Sequence, residues 1–395
     1  MSTIVIGAGH NALVAAYYLA KAGRRPIVLE RRAEVGGGAI TGELAPGFRC
    51  PTLTHEVLLH HRIVSELGLA AHGLERLDPS VEACALDPYG GPPVIFHADP
   101  TLTVQGLARV SRTDAGRFAD FRVVMDRIAP ILASLLDHDA PSLARLGAGD
   151  VWQGVKTAYG FHRLGRRDGG RLLRWIHMPV ADLVEEWFDD ELLKAAVAGP
   201  CLTGTMRGPR SAGSVLVLLL REACMHLARA RAFRARGGPG AVTRSLAAAA
   251  MSAGAEIRTG SGVDRVLLNK GHVTAVVSGG REMPATCVVS GLDPQSTFLG
   301  LLDPAALDTT FVTRVRQYRA QGTLAKLNLA LSGLPVFRGA GTDPAMLSGR
   351  LHLGPSLEYM ERAFDRVKYG ELPRDPWLDV TIPSLLDPGL APRGA

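Results

Sequence analysis

An α/β fold, in which a parallel nucleotide-type sheet is split by a long insertion, is predicted by three observations. A β-branched run meets a glycine loop and then a helical stretch at the start of the chain. A second glycine loop, helix and strand series begins at residue 236. Between them, helical stretches with apolar residues at three- and four-residue intervals alternate with loops.

Each element follows in order. Thr3-Ile4-Val5-Ile6 suits a buried parallel strand. Gly7-Ala8-Gly9-His10-Asn11-Ala12 follows, then a helix over 13–22 with Gly23 as its cap, then a strand over 26–29 that ends in Glu30. The loop has the form G-x-G-x-x-A. Gly7 allows the tight turn, Gly9 lets backbone approach a pyrophosphate, and Ala12 keeps helix and strand close. The helix N-terminus offers N–H groups and a partial positive charge to phosphates. Glu30 lies 23 residues after Gly7, where a carboxylate accepts the two ribose hydroxyls of an adenosine and disfavours a 2′-phosphate. His10 is expected to flank the cofactor at the solvent edge and not to act in catalysis.

After Arg31-Arg32-Ala33-Glu34-Val35 comes a second cluster, Gly36-Gly37-Gly38, whose backbone can approach the same pyrophosphate from another side. Flavoproteins of the glutathione-reductase and amine-oxidase type carry such a doublet here, and the similarity favours FAD over NAD. The predicted fold is therefore a discontinuous Rossmann-like FAD/NAD(P)-binding domain of that type, with an inserted α+β substrate domain.

The middle of the chain reads as helices over 55–67, 115–136, 182–197 and 211–233, with a strand-rich stretch over 77–104. Arg236-Gly237-Gly238-Pro239-Gly240 opens a helix over 241–252, followed by a strand over 255–258. A three-stranded meander is expected next. It starts with strands 263–268 and 272–277 around the tight turn Asn269-Lys270-Gly271, and a further buried strand lies over 285–290. The expected division is an FAD-binding domain from 1–75 and 236–300, and a substrate domain from 76–235 that continues over 301–395.

Composition narrows the function. The 395 residues suggest two or three domains, and 47% hydrophobic with 21% charged residues is a globular balance. A net charge of +6, spread thinly, gives no case for nucleic acid. Cys50, Cys84, Cys201, Cys224 and Cys287 form no metal or dithiol spacing, and scattered cysteines fit a reducing compartment. His60-His61 is not read as a metal pair, because adjacent residues point to different helix faces. Arg163, Arg166, Arg167, Arg171 and Arg174 are taken as a solvated helix face, with an anion or a membrane surface as the other reading. No apolar run approaches the roughly 20 residues of a membrane span, so a soluble chain is expected.

Several segments carry a family resemblance. They are Gly7 to Leu19, Leu29-Glu30-Arg31-Arg32 with Val35-Gly36-Gly37, Pro46-Gly47-Phe48-Arg49, Gly208-Pro209-Arg210-Ser211, Gly237-Gly238-Pro239-Gly240, Val288-Val289-Ser290 with Asp293-Pro294, and Ile382 to Pro388. The sequence resembles the phytoene dehydrogenase-related FAD oxidoreductases of the flavin amine oxidase superfamily over essentially its whole length. The resemblance implies that Gly7, Ala8, Gly9, Asn11, Ala12 and Glu30, with Arg31, Gly36, Gly37 and Gly38, hold the FAD, and that Val263 holds the adenine through its backbone. It implies hydride transfer from a substrate C–H to flavin, and the Leu, Ala and Val content of the substrate domain points to an apolar or isoprenoid-like small molecule as substrate. No residue is assigned as a catalytic base, and no metal or disulfide chemistry is expected. Relatives continue into a glycine-rich segment over the flavin ring, which this chain is expected to lack. A catalytically incomplete member acting through a regulatory partner is thus a second reading, and an amine oxidase-like or NAD-binding dehydrogenase a third. A cytoplasmic location is expected for a bacterial-type chain, and the mitochondrial matrix for eukaryotic relatives.

Overall fold

The computed structural model describes residues 2–139 and 147–392. Its first sheet is fully parallel, in the order Cys287–Ser290, Thr3–Ile6, Ile27–Leu29, Glu256–Arg258. Two neighbouring strands come from the first thirty residues, and two from more than two hundred residues later. The β-branched run of the first strand explains its central place. Val5 faces one side, against Leu13, Ala16 and Leu246, while Ile4 and Ile6 face the other, against Val266 and Val276. Both faces are covered, as a parallel sheet requires.

The covering layers differ in kind. On one face the helices His10–Lys21 and Pro239–Ser252 pack together. Their buried alanines (Ala12, Ala16 and Ala20 on one, Ala247, Ala249 and Ala250 on the other) present little side-chain bulk between the backbones. On the other face lies the antiparallel meander Val263–Asn269, His272–Ser278 and Arg281–Pro284. Its first turn places Lys270 at φ 49° and Gly271 at φ 79°, the two positive values that a two-residue hairpin turn demands.

A second sheet, ordered Leu378–Thr381, Arg350–Leu353, Val81–Ala85, Val94–His97, draws on two distant stretches of chain. Against it lies a helical layer with the largest core of the molecule, in which Trp175, Phe188, Leu183, Leu193, Met125 and Ile128 are almost wholly buried.

Several boundaries differ from the sequence reading. The first helix starts at His10, so the phosphate-type loop is only Gly7 to Gly9. The helix expected over 55–67 is only His61–Glu66, because Val57 pairs instead with Phe233 through two backbone hydrogen bonds of 2.9 and 3.0 Å. The stretch 182–197 is two helices, Val180–Trp187 and Glu191–Leu202. The buried Asp114 carboxylate accepts the N–H groups of Asp189 (2.9 Å) and Asp190 (3.1 Å) at the break. The helix expected over 211–233 is Ser214–Ala228, flanked by left-handed Gly213 and Arg229. The strand-rich stretch holds its strands but passes at Pro100 into the helix Pro100–Ala108.

Candidate functional site: a glycine cradle and an adjoining cavity

The C-terminal edge of the parallel sheet gathers the residues singled out from the sequence. Gly7 turns at φ 85° and its N–H donates to Leu29 O at 2.8 Å, which closes the strand end. Ala8 is fully buried. Gly9 caps the helix, which has no side-chain cap and no acidic residue in its first turn. The N–H groups of that turn are therefore available to an anion. Asn11 and His10 are exposed on this turn. Ala12 packs against Gly291, where an added Cβ would lie 2.6 Å from the Ala12 Cβ. Helix and strand meet there as closely as two small residues allow.

The second glycine cluster folds directly onto the first. Gly36 N–H donates to Ala8 O (2.9 Å), and Gly36 bridges Gly9 in parallel register. Gly37 sits at φ 59°, and a Cβ on it would come within 3.1 Å of the Gly9 Cα. A Cβ on Gly38 would come within 3.0 Å of the Leu53 side chain. Two stretches of bare backbone thus face each other, and a side chain at Gly37 would be both strained in φ and tight against Gly9.

Glu30 holds these pieces in place. Its Oε2 accepts the Ala8 N–H at 2.7 Å and its Oε1 the Arg32 N–H at 2.9 Å. Each oxygen keeps a second lone pair. Arg31 lies along Gly262. Arg32, which the sequence reading passed over, donates from Nη1 to Gly37 O at 2.9 Å and puts a guanidinium beside the glycine doublet. Ser261 N–H donates to Glu30 O at 2.7 Å, and Val263 begins the meander two residues on. Every residue named for the cofactor is therefore on one rim of the sheet. The glycine loop Gly237 to Gly240 approaches the same region through Gly240 N–H to Thr41 Oγ1 (3.0 Å) and Gly237 N–H to Asp387 Oδ2 (2.6 Å).

Residues 50–56 follow in the chain and carry a cluster that has no signature in the sequence. Lys326 Nζ donates to Pro51 O. Burial lowers the Lys326 amine from its ordinary value and raises the Cys50 thiol. Burial, with help from Lys326 and Arg234, pushes His55 down to about 3, so its imidazole is neutral near pH 7. Glu56, next along, lines a cavity of about 510 Å³ under the helical layer. Phe96, Phe118, Phe121, Leu218 and Met225 line it together with arginines and carboxylates.

The remaining candidates separate from this site. His60 and His61 have stacked rings with centroids 5.1 Å apart, contrary to the expectation that they point apart, because His60 is the N-cap and not part of the helix. His60 pairs with Asp137 (3.0 Å) and His61 with Leu227 O (2.9 Å). Arg171 and Arg174 are tied to Asp168 and Glu186, while Arg163, Arg166 and Arg167 are exposed. All five cysteines are unpaired thiols. Among the described residues no helix is long and apolar enough to cross a membrane.

Comparison with known proteins agrees with this layout. The NAD(P)-binding Rossmann-like domain family matches residues 5–63. An oxidoreductase from Methanosarcina mazei has a similar fold, with a TM-score of 0.60 at 17% identity over 100% of this chain and 77% of its own. The phytoene dehydrogenase of Streptomyces griseus is 27% identical over 99% of this chain and 70% of its own length. Pyridine nucleotide-disulfide oxidoreductase domain-containing protein 2 of Rattus norvegicus is 33% identical over 99% of this chain and 71% of its own length. With that likeness running from end to end, and with a dinucleotide-type sheet at its centre, the chain belongs to the oxidoreductase family of pyridine nucleotide-disulfide oxidoreductase domain-containing protein 2.

Proposed function

We propose that this chain is an FAD-dependent oxidoreductase acting on a small, largely apolar molecule. The observation that supports it most is the backbone contact between Gly9 and Gly37, a cradle that a single Cβ would fill. The FAD pyrophosphate would lie across Gly7 to Gly9 and Gly36 to Gly38, against the open N–H groups at the start of His10–Lys21. Glu30, fixed by two backbone donors, would use its remaining lone pairs on the ribose hydroxyls. Arg31 and Val263 would border the adenosine. When bound, the flavin supplies the hydride acceptor for a substrate C–H.

The chain's own residues then have defined tasks. Residues 1–75 and 236–300 would hold the cofactor, and 76–235 and 301–395 the substrate. The cavity lined by Glu56 would receive the substrate and keep water from it with its phenylalanines. His55, one residue before Glu56 of the cavity lining, stays neutral near pH 7 and would present an uncharged imidazole there. The helix Ala148–Arg163 exposes Val151, Trp152, Val155 and Tyr159 beside Lys156 and Arg163, which supports peripheral contact with a membrane surface that could deliver an apolar substrate. The test is a titration of the purified protein with FAD and, separately, with NAD, followed by flavin absorbance and by protein fluorescence. Saturable uptake of FAD, with little of NAD, is the expected result.

A further inference from the structure

The cavity beside Glu56 has two unlike sets of lining residues. One is apolar and fixed: Phe118 packs against Phe96 and Phe188, and Phe121 against Trp187. The other holds five arginines and four carboxylates. Two of the arginines are hydrogen-bonded to carboxylates. Arg122 grips Glu222 with both terminal nitrogens (2.7 and 2.9 Å) and also reaches Asp126, while Arg231 is bonded to Glu82.

The other three are not. Arg234, with its side chain 8% exposed, has Glu56 only at 3.6 Å. Arg350 has a buried Nε with no hydrogen-bond partner, and its nearest carboxylate, Asp379, stands at 3.9 Å and is already bonded to His352 Nδ1 at 3.0 Å. Arg221 has no acidic partner among the described residues. All three line the same cavity. Burial lowers Arg234 from its ordinary value despite Glu56, and Arg350 lowers it further by repulsion; Arg350 and Arg221 both act on Asp379.

We propose that this cavity binds an amphipathic monocarboxylate, its alkyl chain on the phenylalanine wall and its carboxylate among Arg221, Arg234 and Arg350. A neutral hydrocarbon would leave the buried Arg350 N–H without an acceptor, which is unfavourable. A dianionic phosphate would overshoot, since five arginines face four carboxylates and the excess is a single charge. A planar carboxylate also matches the forked donors of a guanidinium. The volume of about 510 Å³ lies within the range of small-molecule sites, roughly 300–1,000 Å³. The inference names the substrate class for the oxidoreductase proposed above and rests on that reading for the fate of the acid; binding itself needs no flavin.

The experiment is a calorimetric titration of the full chain, without added FAD, with oleate and with methyl oleate, on the wild type and on Arg221→Gln. Arg221 is exposed and makes no ion pair among the described residues, so the variant should fold, and circular dichroism checks that it does. Oleate should saturate one site, with methyl oleate at least about tenfold weaker. Arg221→Gln should weaken oleate by about tenfold and leave methyl oleate unchanged. Equal binding of acid and ester by the wild type, no saturable binding of oleate, or a folded Arg221→Gln with undiminished oleate affinity would each overturn the proposal. A chain that takes up FAD but does not prefer the acid keeps the oxidoreductase reading and loses this one. A chain that binds oleate selectively but not FAD does the reverse.

Discussion

At Gly37 the backbone sits at φ 59° and the space beside it is already filled by the Gly9 Cα. Gly37→Ala combines a left-handed alanine with a contact of 3.1 Å against backbone, which cannot rotate away. It should cost about 1–2 kcal/mol of stability from the φ alone, read as a lower melting temperature. It should also weaken FAD by tenfold or more, because the two glycine segments must part. His55 gives a second residue-scale prediction. Its folded value is about 3 against an ordinary 6.5, because burial and two cations oppose its protonation. Above pH 6.5 both folded and unfolded chains carry a neutral His55, so it adds no pH dependence there. As pH falls from 6.5 towards 3, the unfolded chain takes up a proton that the fold refuses, and stability drops by up to a few kcal/mol. His55→Gln should flatten that part of the stability–pH curve in denaturant titrations.

At the scale of single elements, Asp114 shows how a distant residue ends a helix. Its carboxylate takes the N–H groups of Asp189 and Asp190, which breaks what the apolar spacing alone would continue. Asp114→Ala leaves two backbone donors short of a partner and should cost roughly 2–5 kcal/mol, measured by urea denaturation. The same contrast explains what the sequence revealed. The strand Thr3–Ile6, the turn at Gly7, the acid at Glu30 and the hairpin at Lys270-Gly271 are local features, set by residues within a few positions of each other. They were legible without the fold. Val57 was assigned to a helix because its partner, Phe233, lies far along the chain. Arg32 was passed over for the same kind of reason, since its contact with Gly37 depends on how the segment doubles back. The Cys50, His55 and Lys326 cluster and the unengaged arginines of the cavity have no spacing signature, because each comes from a separate element.

Over the whole molecule, the central fact is that one parallel sheet is assembled from the two ends of a long excursion. Strands Thr3–Ile6 and Ile27–Leu29 acquire their neighbours, Cys287–Ser290 and Glu256–Arg258, only after the helical layer and the first strands of the second sheet have been laid down. That arrangement sets the glycine cradle on the sheet rim, and residues 50–56 link it to the cavity under the helical layer. In the proposed oxidoreductase the cradle holds FAD. Equilibrating the purified chain with FAD, removing free ligand by gel filtration and recording the absorption spectrum tests it most directly. Flavin bands retained at about one per chain, and lost in Gly37→Ala, are the expected result. A chain that emerges colourless while binding NAD tightly would contradict it.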